Sequence, residues 1–174
     1  MKRLPGQPGA HACNIRPASP RDVDLLWDFL AIAAYEPNGT AARQQPVVAA
    51  HLQGWPGAHD FGVIALVNGQ PVGAAWVRQF SRAEQPSVYF NGQTPELSIG
   101  VAESARGDGI GSRLLAALLA EAGRRRLDVC LTVRHTNPAL RLYLRHGFAR
   151  VAHLDVPNRV GGVSHAMLWR RACS

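Results

Sequence analysis

Leu97, Ile99 and Val101 alternate with smaller or polar neighbours, the period-2 pattern of a strand packed mainly on one face. A short turn follows, and then Leu114, Leu115, Leu118 and Leu119 recur at helical spacing, which predicts a helix from Ile110 to about Gly123. Ahead of this unit, Val23, Leu26, Trp27 and Leu30 fall at i, i+3, i+4 and i+7 after Ser19-Pro20, a cap and first-turn proline, and predict a helix over 21–34. A short strand around 14–17 precedes it, and a weaker helix is expected over 41–52. Residues 63–67 and 72–80 read as two strands joined at Asn68-Gly69, a strong hairpin signal. Residues 128–133 are almost wholly apolar, as in a strand buried beside a parallel neighbour. Asn137-Pro138 opens another helix that Gly147 closes, and strands over 148–154 and 163–169 finish the chain.

The order is β-α-α-β-β-β-α-β-α-β-β. It predicts a mixed α/β (α+β) fold: a mostly antiparallel sheet of about six to seven strands, a central parallel βαβ pair, and helices on both faces. Residues 1–13 are rich in proline and glycine and read as a flexible tail, leaving 14–171 as a single domain.

Composition narrows the function classes. With 174 residues, 47% of them hydrophobic, the chain has enough apolar content for one sizeable core. No apolar run approaches the ~20 residues of a membrane span. Cys13, Cys130 and Cys173 are too far apart for a disulfide framework or a zinc site, which suggests a reducing, cytoplasmic setting. The histidines include no pair at helical ligand spacing, and no metal is expected. The net charge is +7, yet the arginines are scattered, and their one cluster, Arg124-Arg125-Arg126, sits where a helix ends and complements its dipole. Nucleic acid is therefore not the expected partner.

Candidate chemistry concentrates between the central strand and its helix. Arg106-Gly107-Asp108-Gly109-Ile110-Gly111 puts three glycines at the mouth of the helix, where φ > 0 is accessible and no Cβ blocks the N–H groups. Free donors and the helix dipole make this an anion site. It is not a dinucleotide fingerprint, because the G-x-G-x-x-G spacing is absent, and no Gly-Lys-Ser/Thr marks a P-loop.

The same hexapeptide matches the [Q/R]-x-x-G-x-[G/A] signature of the GNAT superfamily of N-acetyltransferases. Asn137-Pro138-Ala139-Leu140-Arg141-Leu142-Tyr143 with Gly147-Phe148 resembles that family's second block, in the expected order and distance. The resemblance spans about 14–171 and implies a GNAT-like fold and an enzyme that moves the acetyl group of acetyl-CoA to a primary amine of a small molecule, peptide or protein, by direct attack in a ternary complex. It also implies residue roles. The loop Arg106, Gly107, Gly109, Ile110, Gly111 and Ser112 would hold the pyrophosphate. Ile99 and Val101 would pair with the acyl-pantetheine arm, which fills a wedge between the central strand and the next parallel one. Gly100 would ease the strand break there, or simply be small under a packed helix. Asn137 would cap its helix, bind the cofactor, or both, and Tyr143 would bind the cofactor and protonate the departing thiolate. Glu96 matches the family's general base, with Glu103 as second choice.

The acceptor site is less defined. Trp27, Tyr35, Glu36, the loop at 54–57 and Tyr89-Phe90-Asn91 are candidates, with Trp27 better explained as core. A non-catalytic acyl-CoA sensor on the same fold is the alternative function. Oligomeric state is open, a homodimer through the last strand and Trp169 being one option.

Overall fold

A computed structural model describes residues 12–84 and 86–172; most of the tail expected over 1–13 lies outside them. Eight strands form one sheet in the order β1-β2-β3-β4-β5-β8-β6, with β7 also paired to β8. The strands are β1 (Cys13–Pro17), β2 (Phe61–Val67), β3 (Gln70–Arg78), β4 (Glu96–Val101), β5 (Val129–Arg134), β6 (Ala149–Arg150), β7 (Val156–Pro157) and β8 (Val163–Trp169). All pairings are antiparallel except β4 with β5. The count exceeds the expected six to seven because the stretch read as one strand over 148–154 breaks after Arg150, turns at Ala152–Leu154, and resumes as β7.

Among the described residues five α-helices accompany this sheet: α1 (Val23–Ala34), α2 (Gly39–Gln44), α3 (Pro46–Ala49), α4 (Ile110–Arg124) and α5 (Leu140–Arg145). The single helix expected over 41–52 is two, because Pro46 has no N–H to continue α2 and instead opens α3. The β2–β3 hairpin turns at Asn68 and Gly69, both at positive φ, as its sequence requires. In the segment before β4, Val88 is buried against Cys130, Ala166 and Leu168.

The two larger cores among the described residues flank the sheet, and a small third one lies beside β8. On one face Leu114, Leu115, Leu118 and Ala122 of α4 lie against Val63, Ala75 and Val77. On the other, Leu26, Trp27, Phe29 and Leu30 of α1 pack on Ile64, Ala74 and Trp76. Gly100 explains how close α1 comes. A Cβ there would sit 2.3 Å from the Phe29 carbonyl oxygen, so the glycine admits the helix backbone against β4. Of the two readings of Gly100, the close helix is the one the contacts support.

Candidate active site

The parallel strands β4 and β5 share one register pair, Glu96 with Cys130, closed by the Cys130 N–H donating to the Pro95 carbonyl at 3.0 Å. No further register pair joins them, and the space beyond is a cleft of about 960 Å³. Its walls include Glu96, Ile99, Val101, Arg106, Gly107, Gly109, Ile110, Gly111, Ser112, Asn137 and Tyr143. The residues expected from sequence to hold acetyl-CoA, together with Glu96 and Tyr143, therefore meet in one cavity. Glu103 is not among its walls; it is exposed in the turn after β4.

One half of the cleft is built from backbone. Gly107 and Gly109 have φ of 88° and 76°, and a Cβ on either would meet nothing within 4 Å, so the space over the loop is open. Gly109 is the N-cap of α4 and offers no side chain to its first-turn donors, and no acidic residue stands in that turn. The Arg106 guanidinium donates to the Val101 carbonyl at 3.3 Å, tying the loop to the end of β4. Gly111 serves packing as well, since a Cβ there would press on Leu142 at 3.2 Å. The Ser112 hydroxyl is shared with His146 Nε2 at 2.8 Å. Asn137 Oδ1 accepts the Ala139 N–H at 2.9 Å and shapes the turn before α5; the helix itself begins at Leu140, later than the sequence suggests.

The other half is built from side chains. Glu96 is 3% exposed; its Oε1 accepts a long 3.5 Å hydrogen bond from the Thr132 hydroxyl and its Oε2 has no partner among the described residues. Burial pushes its carboxyl up to about 8, with Thr132 pulling weakly the other way. Tyr143 packs edge-on to Phe148 at 5.8 Å between centroids, and burial, then the nearby Tyr35, raise its phenol above the ordinary value. Leu30, Tyr35, Val47, Val48, His51, Ser87, Arg134 and Arg159 also line this part of the walls. Arg134 lies 4.5 Å over the Tyr35 ring, and Arg159 pairs with Glu36 at 2.8 Å and joins the β7–β8 turn to the end of α1.

Several acceptor-side candidates fall elsewhere. Trp27 and Trp55 are core, Trp55 donating to the Val77 carbonyl at 3.2 Å. Tyr89 stacks under Arg82, and Phe90 packs on the small core beside β8. Conversely His51, Thr132, Arg134 and Arg159 were not legible, because only the fold brings their distant segments to one cleft. An isolated polar residue in an apolar run, such as His51 after Val47-Val48-Ala49-Ala50, was the one signal available.

A sequence profile described as the acetyltransferase (GNAT) domain matches residues 58–150, more than half of the chain. The chain belongs to the GNAT acetyltransferase family. Solved structures agree on the fold. A Salmonella typhimurium protein assigned as an acetyltransferase, solved with its cofactor acetyl-CoA, is 20% identical over 94% of this chain and 96% of its own, with TM-score 0.66. The ribosomal-protein-S18-alanine N-acetyltransferase of Escherichia coli gives the same four values. A GNAT-family acetyltransferase from Streptococcus pneumoniae is 19% identical, covering 92% of this chain and 100% of its own, with TM-score 0.66. Among curated proteins, none matches the sequence. Among the described residues of this GNAT domain, no helix is long and apolar enough to cross a membrane.

Proposed function

We propose that this GNAT protein transfers the acetyl group of acetyl-CoA to a primary amine, by direct attack while both substrates occupy the cleft. The observation that carries the reading is the single-pair contact of β4 with β5, which opens a wedge whose one end is an uncapped helix N-terminus and whose other end is an unpartnered buried carboxylate. The residues fit acetyl-CoA: the loop at Gly107 and Gly109 borders open space suited to a pyrophosphate at the start of α4, and Ile99 and Val101 present a β4 edge without a β5 partner to a pantetheine arm. Arg106 and Asn137 flank that path, and Tyr143 reaches it from α5. The domain proposed for this work spans 14–171.

Acetyl-CoA supplies an activated thioester. The chain's own residues handle the protons. A lysine-like amine with pKa ~10.4 is more than ~99% protonated near neutrality, and removing that proton costs about 4–5 kcal/mol. Glu96 takes it. A carboxylate held near 8 is a far stronger base than one at 4.5 and is partly ionised at the pH where it works. The amine lone pair then forms the new C–N bond as the C–S bond breaks, and the second N–H proton leaves with the sulfur. Tyr143, whose phenol holds its proton more tightly than usual, serves the leaving sulfur as a hydrogen-bond donor.

Calorimetric titration and an amine screen, run on wild type, Gly109→Trp and Glu96→Gln, test this. Acetyl-CoA binding lost only in Gly109→Trp, with turnover lost in both variants, is the expected result. Binding without turnover toward any amine in wild type would instead support a non-catalytic acyl-CoA sensor.

A further inference from the structure

The Ser112 hydroxyl oxygen and His146 Nε2 lie 2.8 Å apart, although 34 positions separate them in the chain. Packing brings them together. Ser112 stands in the first turn of α4, and His146 caps the C-terminal end of α5, where its backbone N–H donates to the Leu142 and Tyr143 carbonyls at 3.2 and 3.1 Å. The two helices meet at Gly111, where an added Cβ would press on Leu142 at 3.2 Å. Ser112 lines the cleft beside Gly107, Gly109 and Gly111, whereas His146 is not among the lining residues. The imidazole therefore acts on the cleft through the serine. Among the described residues each is the other's one side-chain hydrogen-bond partner.

A hydroxyl has one hydrogen to donate and two lone pairs, whereas the oxygens of an ionised phosphate only accept. If His146 Nε2 is bare, Ser112 has two poor choices. It gives its hydrogen to the ring and turns lone pairs toward an anion, or it serves the anion and leaves two lone pairs facing each other at 2.8 Å. If Nε2 carries the hydrogen, the ring donates to Ser112 and the serine hydrogen is free for a phosphate oxygen. Burial, then the Arg145 charge, lower His146 from its ordinary value, so above neutrality the ring is uncharged and has a single N–H to place. No described residue accepts from Nδ1 and draws that hydrogen to the other nitrogen.

We propose that His146 is a positioning residue for the cofactor: its Nε2–H donates to Ser112 Oγ, and the serine hydroxyl so turned donates to the pyrophosphate of acetyl-CoA. This assignment rests on the acetyl-CoA reading of the loop. Pyrophosphate binding then selects one tautomer of a ring outside the cleft, and the loss of that ring costs affinity only while the serine hydroxyl is present to be turned.

Long-range ¹H–¹⁵N NMR of protein labelled at histidine, at about pH 7.5 and with His146→Gln to assign the signal, reads the tautomer in the wild-type complex with CoA. The expected ring is neutral and protonated on Nε2. Calorimetry with CoA and with dephospho-CoA, which keeps the pyrophosphate and lacks the 3′-phosphate, reads the coupling in Ser112→Ala, His146→Phe and the double variant. Ser112→Ala should weaken both ligands by roughly ten- to hundredfold, the scale of a hydrogen bond to a charged group. His146→Phe should weaken both by roughly three- to tenfold, the scale of a neutral one, and should have no further effect in the Ser112→Ala background. A ring protonated on Nδ1 in the CoA complex overturns the proposal. So does an unchanged affinity in His146→Phe, a loss that persists without the serine hydroxyl, or a loss confined to CoA, which would put the effect at the 3′-phosphate. Each of those outcomes leaves the cofactor reading standing. Failure of wild type to bind either ligand would remove that reading and the proposal with it.

Discussion

The two halves of the cleft are built on opposite plans. The loop half is a continuous stretch of backbone, 106–112, whose shape comes from two glycines at positive φ and an uncapped helix start. The acceptor half is a set of side chains, Glu96, His51, Thr132, Tyr35 and Arg134, delivered from α1, the segment after α3, β4 and β5. A backbone site depends on conformation and tolerates changes of side chain outside it. A side-chain site depends on burial, and burial is what moves Glu96 and His51 away from their ordinary ionisation. The first half suits a ligand shared by many enzymes; the second can differ wherever substrates differ.

Substitutions break the comparison at different points. Gly109→Trp has the largest effect on the loop half. It strains one left-handed residue at about 1–2 kcal/mol, and its Cβ would meet no protein atom within 4 Å, so the fold should survive. Acetyl-CoA affinity should fall at least ~100-fold by calorimetry, about 2.7 kcal/mol of binding. Glu96→Gln tests the acceptor half: kcat should drop roughly 10²- to 10⁴-fold with acetyl-CoA affinity unchanged, and the rise of rate with pH through about 8 should vanish.

The same variant carries a stability signature with a definite sign. The folded state holds the Glu96 proton up to about pH 8 whereas the unfolded chain releases it near 4.5, so the folded state binds more protons in between. Stability must therefore fall as pH rises through that window, by on the order of 4 kcal/mol for this group. Denaturant melts should show Glu96→Gln gaining on wild type from pH 4.5 to 8 and holding that gain above it.

Gly100→Ala, at the back of the cleft, should cost roughly 3 kcal/mol, the upper end of overpacking, because its Cβ meets a backbone carbonyl rather than a yielding side chain. Tyr143→Phe should slow turnover by roughly 10- to 100-fold, near or below the lower range of general-acid effects. Smallest is Thr132→Val. It removes the one hydrogen bond that lowers the Glu96 ionisation, and the ascending limb of the rate profile should move to higher pH by less than about one pKa unit.

How much of this was legible in the sequence follows the same division. The glycine loop, the strand before it and the Asn137-to-Tyr143 block were readable because local chemistry specifies them: glycine for positive φ, alternation for β4, an Asx turn before α5. Glu96 was singled out only through the family resemblance, since nothing in its local sequence marks it. His51, His146 and Arg159 were not found; each acquires meaning only when distant segments meet, as α4 meets α5 and the β7–β8 turn reaches α1. Trp55 misled as a pocket candidate because bulk suits a core as well as a wall, whereas Trp27 is the core residue that its helical spacing predicts.

Thermal melting and calorimetry with acetyl-CoA, CoA and NAD in parallel test the central claim most directly. Ligand at ~100 Kd adds about 2.7 kcal/mol to the stability of a fold that binds it. The account predicts a raised melting temperature with acetyl-CoA and CoA, none with NAD, and loss of the shift in Gly109→Trp. No shift with either CoA species in the wild-type protein would contradict it.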